Sequence, residues 1–275
     1  MSVFSALFAY DFIIKAVVVG SLVSLCAALT GVTLVLKRYS MIGDGLSHVA
    51  FGAVAIGLAI NSLGDLQINP LYISIPVVLA AAFLLLRLSD NSKVKGDAVI
   101  AIISSSALAF GIVVTSLSKG MNVDVNSYLF GSILATSQSD VYISVTMSVI
   151  VLCLYLIFYK KIFIVTFDEN FARATGVNVG LYNMLIAFLT AIVIVIGMKI
   201  IGTLLISSLI IFPALSSMRV FKSFKGVVIS SAIISVVCFF AGIFLSFYYS
   251  IPAGASVVLS NLAVFIIFSI VGYKR

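Results

Sequence analysis

The sequence has 275 residues, of which 63% are hydrophobic and only 9% charged, with a formal net charge of +7. A soluble domain carries about 25% charged residues. A globule with so few could not keep itself dissolved, so a cytosolic enzyme, a secreted disulfide scaffold and a disordered chain are all excluded. What is left is a polytopic membrane protein, whose basic residues mark the cytoplasmic side and do not imply a nucleic acid partner.

A helix needs roughly 20 apolar residues to cross the ~30 Å hydrocarbon core. Nine such runs follow one another, at residues 12–36, 41–60, 70–88, 98–118, 141–159, 179–198, 200–218, 226–247 and 254–272. Their length and lack of strict alternation select helices over a barrel. The first run has no basic leader and no small-residue cleavage site, so it is expected to stay as a span. Residues 1–275 read as one transmembrane domain. Cys26, Cys153 and Cys238 fall inside apolar runs and read as small buried hydrophobes.

Basic residues fix the expected orientation. With the N-terminus outside, nine crossings put Lys37, Arg38, Arg87, Lys93, Lys95, Lys160, Lys161, Arg173, Arg219, Lys222, Lys225, Lys274 and Arg275 on the cytoplasmic side. Only Lys15, Lys119 and Lys199 fall outside. The C-terminus is then cytoplasmic, and the chain belongs in the cell membrane.

Two polar segments interrupt the runs. Residues 119–140 lie outside, and their apolar middle is too short to cross, which predicts a re-entrant or interfacial segment within 124–138. Residues 160–179 lie inside. There Asp168 and Glu169 stand at a predicted helix start and Gly176 at its stop, giving a short cytoplasmic helix of about two turns within 166–178.

His48 is the only histidine, and Asp44 precedes it by four residues in the stretch MIGDGLSHVAFG. That spacing puts both side chains on one helix face, a turn apart. An ionisable group at membrane depth costs at least ~2.5 kcal/mol to insert, so it faces a cavity or a partner. A carboxylate and an imidazole suit a divalent metal ion, although two ligands do not complete a zinc shell. The structural alternative pairs Asp44 with Lys37 or Arg38 and His48 with a backbone carbonyl. Lys199, between two runs, reads either as a gate charge or as an interface anchor whose ammonium reaches water. Pro213 is expected to kink its span. No P-loop and no His-Glu-x-x-His occur, so neither ATP binding by that route nor zinc proteolysis is expected.

Five stretches in order, LKRYSMIGDGLSHVAFGAVAIG, VDVNSYLFGSILA, FDENFARATGVNV, GMKIIGTLLISSLIIFPALSS and IPAGASVVL, resemble the permeases of zinc/manganese-type ABC importers. The resemblance covers residues 16–270. It implies an all-α permease of about nine spans, resembling the vitamin-B12-type importer permease without its first helix. It further implies a transport subunit with no catalytic residues and no bound cofactor, which moves a divalent ion, zinc or else manganese or ferrous iron. ATP is hydrolysed by a partner. Asp44 and His48 match the family's metal-pathway pair. Phe167, Asp168, Glu169, Ala172 and Gly176 match the helix that docks on the ATPase, and Pro213 matches the proline of a broken span. The implied assembly is a permease homodimer with two cytoplasmic ATPases and an extracellular metal-binding protein. An ion-coupled secondary metal carrier is the competing reading, since it needs no ATPase. An intramembrane hydrolase using His48 is a second.

Overall fold

The structure is a computed structural model, and it describes residues 11–64, 69–91, 96–117, 131 and 137–273. Among the described residues it is built of helices: α1 (Asp11–Leu36), α2 (Ser40–Gly64), α3 (Leu71–Asn91), α4 (Gly96–Leu117), α5 (Gln138–Ile157), α6 (Tyr159–Phe167), α7 (Glu169–Ala174), α8 (Val179–Ile201), α9 (Thr203–Val220), α10 (Phe224–Tyr249) and α11 (Ala253–Tyr273). Seven of them are long and apolar enough to cross a membrane. Two shorter apolar stretches, Leu71–Leu85 in α3 and Leu205–Val220 in α9, coincide with the other two expected spans. The expected re-entrant segment within 124–138 lies outside the described residues apart from Gly131, Ser137 and Gln138.

Several elements begin or end for a local reason. Without water in a bilayer core, backbone groups must be satisfied within the segment, and the helix ends carry the exceptions. At the start of α5, Ser137 and Asp140 form a reciprocal capping box. Asn69 Oδ1 accepts the Leu71 N–H at 3.0 Å to open α3, and Asn178 Oδ1 accepts the Leu181 N–H at 3.2 Å to open α8. The α1–α2 corner closes with Tyr39 N–H donating to the Leu34 carbonyl at 2.8 Å and Arg38 N–H to Val35 at 3.1 Å. Arg38 sits there at φ 61°, a left-handed position usually given to glycine.

The centre of the bundle is α8. From Leu189 to Met198 every side chain is buried, as expected of a helix that is apolar all round. It packs against α1, α2, α3, α5 and α9. Helix α1 also approaches α9 closely, because Gly31 has no Cβ; one there would lie 2.0 Å from the Ile210 carbonyl oxygen. Polar side chains cross between helices where packing permits, as with Ser235 Oγ donating to the Ser24 carbonyl at 2.8 Å. Helices α4 and α11 lie at the periphery, with Ile102, Phe110, Leu259 and Ile267 exposed.

Three expectations need correction. The span expected at residues 141–159 ends at Ile157, and Tyr159–Phe167 forms a separate helix rather than the start of a polar loop. Its rings explain this, since Tyr159, Phe163 and Phe167 all pack on Phe224 at the start of α10, with centroids 5.0–5.8 Å apart. Helix α9 runs unbroken through Pro213, and the chain breaks instead at Gly202, where φ is 99° and ψ 152°. Cys26 and Cys238 are buried, but Cys153 lies on the exposed face of α5.

Candidate functional site

Asp44 and His48 share a face of α2 near its start. Neighbouring positions hold that face in place: Ile42, Leu46 and Ala50 are buried, and Gly43 and Gly45 abut Ile210 of α9 and Ile100 of α4. His48 Nε2 lies 3.8 Å from Asp44 Oδ2, with the imidazole 12% and the carboxylate 42% exposed. The separation is too long for a hydrogen bond. It is close to that of two ligand atoms on one ion, since bonds of ~2.1 Å at a tetrahedral angle set the ligands ~3.4 Å apart. His48 Nδ1 is buried without a hydrogen-bond partner, a state that costs about 1–3 kcal/mol when nothing else satisfies it. Lys37, one of the two alternative partners for Asp44, is engaged elsewhere. Among the described residues no third His, Cys, Asp or Glu joins the pair.

The second candidate element is α7, at the end of the bundle where α1 stops. Asp168 caps it, accepting the Phe171 N–H at 2.9 Å. Gly176 terminates it at φ 77°. The Val177 N–H donates to the Ala172 carbonyl at 2.9 Å and the Gly176 N–H to Arg173 at 3.1 Å, the paired closure that needs a left-handed residue after the cap. The short helix expected from those residues is therefore present, six residues long.

Side chains around α7 divide into an inner and an outer face. Ala172, expected at the docking surface, is fully buried and packs with Val165, Val177 and Val179. Phe167 and Phe171 are 58% and 57% exposed. Bulk at position 172 thus meets the chain's own interior, and the two phenylalanines form the outward apolar surface. Glu169 points back to the bundle. Lys37 Nζ donates to Glu169 Oε1 at 2.6 Å, to Asn183 Oδ1 at 2.8 Å and to the Val165 carbonyl at 3.2 Å. Asn183 Nδ2 donates to the same Glu169 oxygen at 3.1 Å. Burial pushes the Glu169 carboxyl up, but these hydrogen bonds and the charges of Lys37 and Arg173 outweigh it and hold the group below its ordinary value of 4.5.

At the opposite end of the bundle the sequence reading missed a second polar node. Lys199, expected to gate or to anchor, forms an ion pair with Asp140. Asp140 also accepts Asn69 Nδ2 at 2.7 Å, the Ser137 N–H at 2.8 Å and Ser137 Oγ at 2.7 Å. The capping box was legible in Ser137 and Asp140. The lysine and asparagine partners come from distant helices and left no sequence signal.

Residues 9–272 match the ABC 3 transport family. The chain is 29% identical to the manganese import system permease protein ScaB of Streptococcus gordonii, over 97% of this chain and 93% of the relative. It is 31% identical to the high-affinity zinc uptake system membrane protein ZnuB of Haemophilus influenzae, over 94% of this chain and 97% of the relative. Among solved structures, PsaBC from Streptococcus pneumoniae in complex with Fab superposes with a TM-score of 0.84 at 31% identity, covering 96% of this chain and 93% of that one. An inward-facing metal-chelate-type ABC transporter shares the fold, with a TM-score of 0.73 at 18% identity.

Proposed function

This chain belongs to the ABC 3 transport family, and we propose that it is the transmembrane subunit of an ATP-driven importer that carries a divalent transition metal ion into the cytoplasm. The observation that carries this reading is the Asp44–His48 pair: a half-exposed carboxylate and an imidazole with one buried nitrogen unpartnered, set apart by a distance one ion can bridge. Zinc is the favoured cargo, with manganese or ferrous iron as alternatives, because an Asp–His set accepts all three. The two relatives, one a manganese import permease and one a zinc uptake membrane protein, agree with that range.

In the proposed assembly two copies of this chain enclose the pathway, two ATPase subunits sit beneath, and an extracellular metal-binding protein delivers the ion. Two half-sites meeting near the dimer axis would supply two carboxylates and two imidazoles, a set of four that zinc accepts. Asp44 contributes negative charge and His48 a nitrogen, which together offset part of the ion's dehydration. Incomplete ligation within each chain favours release as much as capture. The N-terminus is outside and the C-terminus inside, so α7 and the end of α6 face the ATPase and present Phe171 and Phe167 to it. Closure of the ATPase dimer on ATP moves α7, and the helices packed on it reorient the cavity.

The test is ATP-dependent uptake of radioactive zinc into proteoliposomes containing the permease, its ATPase and its binding protein. Asp44→Asn and His48→Ala are each expected to abolish uptake while the complex still assembles. Uptake that survives Asp44→Asn refutes the metal-pathway assignment. Uptake without any ATPase favours the secondary-carrier reading.

A further inference from the structure

Helix α8 is held by polar side chains near both of its ends. At its first turns Asn183 bonds Lys37 and Glu169, so α8, the end of α1 and the start of α7 share one network. Sixteen residues later, ~24 Å along the axis at 1.5 Å per residue, Lys199 pairs with Asp140. That carboxylate also binds Ser137 and Asn69, so the far end of α8 is fastened to the first turns of both α5 and α3. Between the two nodes Met184 and Phe188 are exposed, and from Leu189 to Met198 α8 is buried all round. The close-packed stretch transmits a displacement as a body, and Lys199 and Asp140 are themselves 16% and 2% exposed, so water does little to loosen the far attachment.

We propose that α8 is the rod that carries a displacement of α7 to the opposite end of the bundle, with Lys199 and Asp140 as the positioning pair that makes its far end grip α5. This rests on the transport reading above and adds to it the route from the ATPase side to the far rim. The other route is α5 itself, which reaches α6 through Phe158. Helix α5 is held at its α6 end as well, by the buried Tyr155 whose hydroxyl lies 3.4 Å from Thr33 Oγ1 of α1 and by Phe158 against Tyr182 of α8, so the two routes are told apart by cutting the one that runs through Lys199 and Asp140.

The experiment uses the permease–ATPase complex in proteoliposomes, with Cys26, Cys153 and Cys238 replaced by alanine. Spin labels are placed through Lys161→Cys on α6 or Tyr142→Cys on α5, both at exposed positions. A non-hydrolysable ATP analogue is expected to change label mobility at both sites in the otherwise unaltered protein. With Lys199→Met and Asp140→Asn combined, which leaves no unpaired buried charge, the response at position 161 is expected to persist and that at position 142 to vanish. ATP hydrolysis is expected to continue while zinc uptake is lost. A response at position 142 that survives the double variant overturns the rod and assigns the route to α5. No nucleotide response at either label in the unaltered protein overturns the ATP-driven reading itself, and the rod with it.

Discussion

Lys37 Nζ and Glu169 Oε1 meet at 2.6 Å across 132 positions of the chain, joining the end of α1 to the first residue of α7. The ammonium is 5% exposed and the carboxylate 38%, so the cation depends on the pair more than the anion does. Glu169→Gln keeps size and the bond to Asn183 but leaves a buried cation opposite a neutral amide. It is expected to cost about 1–2 kcal/mol, near the low end for charge-assisted bonds because Glu169 is partly solvated. Adding Lys37→Met is expected to recover part of that loss, since it removes the stranded charge. Thermal unfolding of the purified protein in detergent checks both.

The pH dependence of this tie follows from the lowered Glu169 carboxyl. A group whose folded value is depressed contributes stability that is complete above its unfolded value and lost as pH falls through its folded one. The melting difference between the unaltered protein and Glu169→Gln is therefore expected to be constant from neutral pH down to 4.5, and to shrink only below it. A difference that shrinks already between pH 8 and about 6, well above the carboxylate range, contradicts the assignment.

Ala172 and Phe171 are neighbours with opposite surroundings. Ala172→Trp forces an indole into the space shared with Val165, Val177 and Val179 and is expected to destabilise α7 by at least about 1–3 kcal/mol. Phe171→Ala removes an exposed ring and is expected to leave the melting temperature unchanged while weakening ATPase binding. Co-purification of the ATPase with each variant, beside its melting curve, separates the two effects. Equal ATPase capture by Phe171→Ala and the unaltered chain removes that ring from the interface.

Gly176 has φ 77° and open space where a Cβ would go. The cost of Gly176→Ala is then conformational, about 1 kcal/mol, and is expected to appear as faster amide exchange within Glu169–Ala174, with little change elsewhere. Asp168→Ala, which loses the cap on Phe171, is expected to have an effect of similar size on the same amides.

Orientation is testable at the exposed Asn178. In intact cells an impermeant thiol reagent is expected to leave Asn178→Cys unlabelled, and in inverted vesicles to label it. Labelling from outside reverses the topology and moves α7 away from the cytoplasm.

The amino-acid sequence determined what depends on near neighbours. The apolar runs set the long helices, because crossing a hydrocarbon layer is a matter of length and hydropathy. Asp168 and Gly176 bounded α7, because caps act over three or four residues, and the spacing of Asp44 and His48 put them on one face. Packing decided the rest. Whether Ala172 faces inward, whether Lys37 answers Asp44 or Glu169, and which acid Lys199 meets depend on how helices distant in the chain lie against one another, and hydropathy along one run carries no trace of that. Pro213 shows the same limit from the other side. Its missing N–H reads as a break in isolation, yet the surrounding helices hold α9 continuous there and the chain turns at Gly202, where a left-handed φ is required.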